Sequence, residues 1–167
     1  MFDTGHNEPA RLHEAIATAY RYLNRRERTQ AEMRAHLERA GLDPRSIEQA
    51  IQALVGDGQL DDLRFARLFV QDKRQLEGWG SDRIRQTLFG RGVDRDLIEE
   101  ALAEGDGDEG DGDDEMGRAL ELLQRRFPSP PQDRRERDRA LGVLIRKGYD
   151  PDLALEALSA HARAADP

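Results

Sequence analysis

The chain has 167 residues, no cysteine, 37% hydrophobic and 36% charged residues, and a formal net charge of −8. These figures exclude disulfides and thiolate metal sites, and they are lean for one large core but sufficient for a short series of small modules. The four histidines (His6, His13, His36 and His161) lack metal-ligand spacing, and no apolar run nears the ~20 residues of a membrane span, so the expectation is a soluble, cytoplasmic chain with no metal, no cofactor and no membrane contact.

Read in chain order, the first predicted helix runs from about Leu12 to Asn24, with Ile16, Ala19, Tyr20 and Leu23 along one face. The basic turn Arg25-Arg26-Glu27-Arg28 follows. Thr29-Gln30-Ala31-Glu32 then reads as a capping box that starts a second helix. That helix must stop at Gly41, where a residue of positive φ is needed and glycine takes it without strain. Asp43 caps the third helix with Pro44 at its first position, and Ile47, Ala50, Ile51 and Leu54 form its apolar face.

The next stretch, Gly58 to Arg74, sets two aspartates side by side. They could belong to a catalytic site or simply launch a helix. With Asp61 at N-cap, Leu60 and Phe65 occupy the two positions of a hydrophobic staple, and Asp62 faces the positive helix N-terminus. Phe65 and Phe69, with Ala66 and Val70, form the buried stripe, while Arg64, Arg67, Lys73 and Arg74 lie towards the other faces. Catalysis needs a partner base held in a pocket, which the sequence does not supply, so the aspartates are read as structural. Trp79 stands in a Gly-Trp-Gly loop, either as a filler of the core or as an exposed contact. Ser81 is the expected cap of the following helix, which begins with Arg83 and Arg85 and ends at Gly92.

Residues 105–115 contain only Gly, Asp and Glu, and they account for most of the chain's net negative charge. No EF-hand register fits them, and their composition suggests a solvated tether on which the last module could swing. Beyond it come a helix from Met116 to about Arg126, the Pro-rich segment 127–132, the run Arg134-Arg135-Glu136-Arg137-Asp138-Arg139, and a helix–glycine–helix unit about Gly148.

Three segments therefore align: Met33–Leu54, Ile84–Leu102 and Ala140–Leu158. Leu37, Leu88 and Leu144 coincide, as do Gly41, Gly92 and Gly148, and then Asp43, Asp94 and Asp150. Each pair of helices is preceded by one more. The expected fold is all-α: three tandem three-helix modules, at 11–56, 60–104 and 116–165, in an elongated, curved arrangement. Paired helices about a glycine turn superficially suggest a DNA-reading regulator, but the would-be recognition helices carry Glu48, Asp96, Glu99, Glu100, Asp152 and Glu156. No nucleophile elbow, phosphate loop or dinucleotide fingerprint occurs, so no enzyme is expected.

The stretch "LDDLRFARLFVQDKR" followed by "GSDRIRQTLFGRGV" resembles the central signature of the RecX family of recombination regulators. The preceding "YLNRRERTQAEMRAHLERAGLDPRSIEQAIQALVGDGQLDD" is similar to that family's first module. The resemblance is close over about Ala19 to Glu104 and looser in the third repeat. It implies a non-enzymatic regulator that lies in the groove of the RecA–DNA filament, limits its growth and reduces strand exchange, ATP hydrolysis and stimulated repressor self-cleavage; a monomer is the separate expectation for the chain itself. The candidate contacts to RecA, or weakly to single-stranded or duplex DNA, are Arg25, Arg26, Arg28, Arg64, Arg67, Lys73, Arg74, Arg83 and Arg85. The Asp/Gly segment and Gly80-Ser81, where the family often has Gly-Pro, depart from the family pattern.

Overall fold

In a computed structural model, residues 7–104 and 114–164 are described, and among them there are nine helices and no strand. Module 1 comprises α1 (Glu8–Leu23), α2 (Gln30–Arg39) and α3 (Pro44–Gly56). Module 2 comprises α4 (Asp62–Glu77), α5 (Ser81–Gly90) and α6 (Arg95–Glu104). Module 3 comprises α7 (Glu115–Arg126), α8 (Arg134–Lys147) and α9 (Pro151–Ala164). In each module the first helix lies along the third, and the second closes the trio. Each has its own core: Met33, Leu37, Ile51 and Leu54 in the first; Phe65, Ile84, Leu88 and Ile98 in the second; Leu123, Leu144 and Tyr149 in the third.

The repeat has a clear local cause. Gly41, Gly92 and Gly148 have φ of 80°, 82° and 92°, the left-handed region that other residues enter only at a cost. That turn lets the next residue's N–H return to the helix. Leu42 donates to the Leu37 carbonyl at 3.3 Å, Val93 to Leu88 at 3.1 Å and Tyr149 to Leu144 at 3.1 Å. The three aligned leucines thus mark the last turns of α2, α5 and α8, each closed by the same motif. Asp43 accepts from Ser46 N–H, and Asp94 and Asp150 accept from Asp96 and Asp152, which starts each third helix.

Several details depart from the sequence reading. Leu60 does not staple to Phe65: it is buried in module 1's core, while Phe65 belongs to module 2's. Its N–H donates to the Leu54 carbonyl, which holds it back on α3. Gly80, not Ser81, is the N-cap of α5, and Ser81 is that helix's first residue. Asp114 and Glu115, read as part of the acidic segment, cap and open α7. Residues 105–113, the rest of that segment, lie outside the described residues.

The modules meet at helix ends. At the first joint the N-terminus of α2 abuts the C-terminus of α5: Thr29 Oγ1 donates to the Arg91 carbonyl at 2.8 Å, and Arg91 Nε donates to Glu32 at 2.7 Å. At the second joint the N-terminus of α5 abuts the C-terminus of α8: Gly80 N–H donates to the Lys147 carbonyl at 2.8 Å and Asp82 N–H to that of Gly148 at 3.1 Å. Helix α5 is therefore held at both ends, and orphan end groups that would otherwise need water or caps satisfy one another.

Candidate partner-binding surface

The paired aspartates serve this architecture. Asp61 accepts from Arg64 N–H at 2.9 Å, as an N-cap should. Asp62 does not simply face its own helix. It turns back to module 1 and accepts from Gln30 N–H, the first amide of α2, at 2.9 Å. Module 3 repeats the arrangement. Asp114 caps α7 through Gly117 N–H at 2.7 Å, and Glu115 accepts from Ser81 N–H, the first amide of α5, also at 2.7 Å. Asp61-Asp62 and Asp114-Glu115 are the same device used twice: one acid caps its own helix, and the next caps a helix of the preceding module. Burial raises the pKa of Asp62, opposed by the Gln30 hydrogen bond.

The nine basic candidates divide sharply. Arg25 and Arg26 are exposed in the α1–α2 turn. Arg28 beside them is buried, with its guanidinium 3.9 Å from the centre of the Tyr22 ring, which itself stacks on His36. Arg64 donates to the Gly58 carbonyl at 2.9 Å and pairs with Glu27 across the first joint. Arg67 pairs with Glu104 and Glu100, joining α4 to α6. Lys73 pairs with Glu77 and lies over the Trp79 ring, whose other cation is Arg83 at 3.9 Å. Arg74 is buried and donates to the Leu102 carbonyl and to Ser81. Arg83 also donates to the Arg146 carbonyl at 3.2 Å, and so belongs to the second joint. Arg85 bridges to Glu99 at 2.6 Å and to Asp82 at 2.8 Å. The Arg85 hydrogen bond holds the Glu99 carboxyl below the usual range. Trp79 is buried, edge-on to Phe69, so its role is to fill the bend between α4 and α5.

Arginine spacing alone could not separate these roles, because a side chain at a helix end can reach solvent or a neighbouring module equally well. The sequence also missed two residues. Arg118 and Arg125 of α7 line, with Arg67, Arg74, Glu104 and Tyr149, a cleft of about 420 Å³ between modules 2 and 3. Their signal was a pair of arginines seven residues apart on one predicted helix, which shows its meaning only once module 3 is docked. Tyr149 is buried there and donates to the Gly78 carbonyl at 3.3 Å, while Lys147 Nζ donates to that of Glu77 at 2.7 Å. These bonds hold module 3 against module 2, where the sequence alone suggested a swinging module. Among the described residues, no cluster of His, Asp and Glu could hold a metal ion, and no helix is long and apolar enough to cross a membrane.

Comparisons with known proteins agree with this organisation. Models of the first, second and third three-helix domains of RecX match residues 15–54, 61–102 and 113–158. The chain is 35% identical to the regulatory protein RecX of Trichlorobacter lovleyi over 90% of its own length and 95% of that protein's. It is also 35% identical to the regulatory protein RecX of Halorhodospira halophila, over 92% of each chain. In fold it is similar to the crystal structure of RecX from Lactobacillus salivarius, with a TM-score of 0.78 at 18% identity, covering 92% of this chain and 97% of that one.

Proposed function

The chain belongs to the RecX family of regulatory proteins, and from that premise we propose that it regulates RecA by lying in the groove of the RecA–DNA filament, limiting filament growth, strand exchange and co-protease activity. The observation that carries this reading is the pair of end-to-end joints. They set three modules in a row, a form suited to touching several identical subunits of a helical filament. Each contact can be weak, because a module held beside one already bound acts at high effective concentration. The proposed contacts are cationic and exposed: Arg25 and Arg26 on module 1, and Arg67 and Arg125 around the cleft between modules 2 and 3. Arg28, Arg64, Lys73, Arg74, Arg83 and Arg85 support the modules that present them.

The test is co-sedimentation with RecA filaments, compared with naked single-stranded DNA. The protein should pellet with the filament and, at saturation, depress both strand exchange and DNA-dependent ATP hydrolysis. Both reactions running at control rates would overturn the reading. Replacing Arg25 and Arg26 by Glu should weaken pelleting and leave helicity unchanged, because neither side chain is packed. A sequence-dependent shift of short duplex DNA without RecA would instead identify a DNA-reading regulator.

A further inference from the structure

Helices α4 and α7, the first helices of modules 2 and 3, each carry a pair of arginines seven residues apart. They are Arg67 and Arg74 on α4, and Arg118 and Arg125 on α7. That spacing puts both members of a pair on one face of their helix. The two pairs line one cleft, of about 420 Å³, from the two modules. Within it the side chains converge. Arg125 reaches from module 3 until its guanidinium lies 3.9 Å from where a Cβ on Gly78 would sit. Arg74 is buried and fixed by the Leu102 carbonyl and Ser81. Burial raises the Tyr149 pKa, and the positive charges of Arg118, Arg74 and Arg125 oppose that rise, so three of the four arginines act at one phenol.

Charge in this lining is unbalanced. Four guanidinium groups face two carboxylates, Glu104 and Glu121. Glu104 is already paired with Arg67. Glu115, the acid that also acts on Tyr149, accepts from Ser81 N–H. The other polar side chains of the lining, Gln71, Gln75 and Tyr149, are neutral. A cleft lined mainly by one sign of charge focuses the field and concentrates ions of the other sign.

We propose that this cleft binds a short chain of phosphates, carried by a free polyphosphate or by a nucleotide. Its volume suits a small ligand. Guanidinium forks bind phosphate oxygens in pairs. A tetrahedral phosphate presents oxygens to donors on both walls at once, whereas a planar carboxylate presents its two in one plane. Held by α4 and α7 together, the ligand braces module 3 against module 2. The inference goes beyond the filament reading but shares Arg67 and Arg125 with it, and an assay without RecA lets either fail alone.

The experiment titrates the full chain with tripolyphosphate and, separately, with ATP, both without magnesium, by isothermal titration calorimetry. Each should bind saturably at a single site. Tighter binding of ATP identifies a nucleotide as the source of the phosphates, and equal or weaker binding a free polyphosphate. Arg125 is exposed and engages no acid among the described residues, so Arg125→Glu should keep the fold by circular dichroism and lower affinity at least about tenfold. Arg135→Glu makes the same change of charge on α8, at an exposed position outside the cleft, and should lower affinity less than about twofold. Should Arg125→Glu unfold, Arg67→Gln, at another exposed position, should still lower affinity several-fold. Bound tripolyphosphate should also slow hydrogen exchange at the Gly80 and Asp82 amides, which bond across the second joint. No saturable binding, equal losses from Arg125→Glu and Arg135→Glu, or unchanged exchange at those two amides would overturn the proposal. So would a thymidine oligonucleotide that binds at least about tenfold more tightly than tripolyphosphate through the same arginines, because the ligand would then be a nucleic-acid strand.

Discussion

The two joints make the same connection by different means. In both, an acid at the first position of the following module caps the first amide of a middle helix: Asp62 on Gln30, and Glu115 on Ser81. In both, a cap glycine presses against the neighbour. The first joint is otherwise made by side chains, through Thr29 to the Arg91 carbonyl and Arg91 to Glu32. At the second, backbone meets backbone, because Gly80 has no side chain to keep the 147–149 segment away. A Cβ at Gly80 would overlap the Gly148 carbonyl. The absence of a side chain can therefore be as specific a joining device as its presence.

This comparison can be broken at the glycines. A Cβ at Gly148 would overlap the backbone and Cβ of Arg83, one at Gly92 would overlap only the Ala31 methyl, and one at Gly41 would meet nothing within 4 Å. All three have positive φ, so Gly41→Ala isolates the conformational cost, about 1–2 kcal/mol. Gly148→Ala should add an overpacking cost of about 1–3 kcal/mol, with Gly92→Ala between the two. Urea denaturation gives the order. Equal losses at all three would mean that the joints contribute nothing beyond the caps.

Next in size is Thr29→Ala, which removes both the cap on Glu32 N–H and the bond to Arg91, for a loss of about 1–2 kcal/mol. Glu115→Ala should cost about 1 kcal/mol and speed hydrogen exchange at the Ser81 amide while leaving that of Gln30 unchanged. Faster exchange at both amides would show that the joints are not independent.

The smallest effects sharpen the comparison through pH. Burial alone would raise the Glu32 pKa, but hydrogen bonds from Arg91 and Thr29 and the nearby positive charge bring it below its ordinary 4.5. Its contribution is therefore present above that pH and lost as the pH falls through the lowered folded-state value. Asp62 has the opposite sign, since its raised pKa favours the folded state on acidification. Asp62→Asn should accordingly steepen the loss of stability in acid, and an unchanged acid limb would refute the assignment. At the second joint, burial pushes Tyr149 from 10.0 to about 12. Its contribution is complete below pH 10.0 and lost as the pH rises toward 12, and an ultraviolet titration should show a phenol ionising at that late pH.

Much of this was legible in advance because it is local. Gly41, Gly92 and Gly148 announce turns of positive φ, Thr29 and Glu32 announce a capping box, and the apolar spacing of Ile47 to Leu54 announces a helix face. The arginines were less legible. Arg74 looked solvent-facing by its place in the sequence, yet it is buried against Leu102 and Ser81. Leu60 looked like a staple for the helix it precedes, and it packs on the helix it follows. In each case the partner is distant in sequence, and periodicity carries no information about it.

By itself the sequence determined the helices, the caps at Thr29, Asp43 and Asp61, and the threefold repeat, since each depends on interactions spanning four or five residues. Only the tertiary structure decided which charged groups face outward, where module 3 rests, and that arginines of α4 and α7 share one cleft. Those outcomes depend on which helix ends satisfy one another's free N–H and C=O groups, and that pairing exists only once the modules have docked.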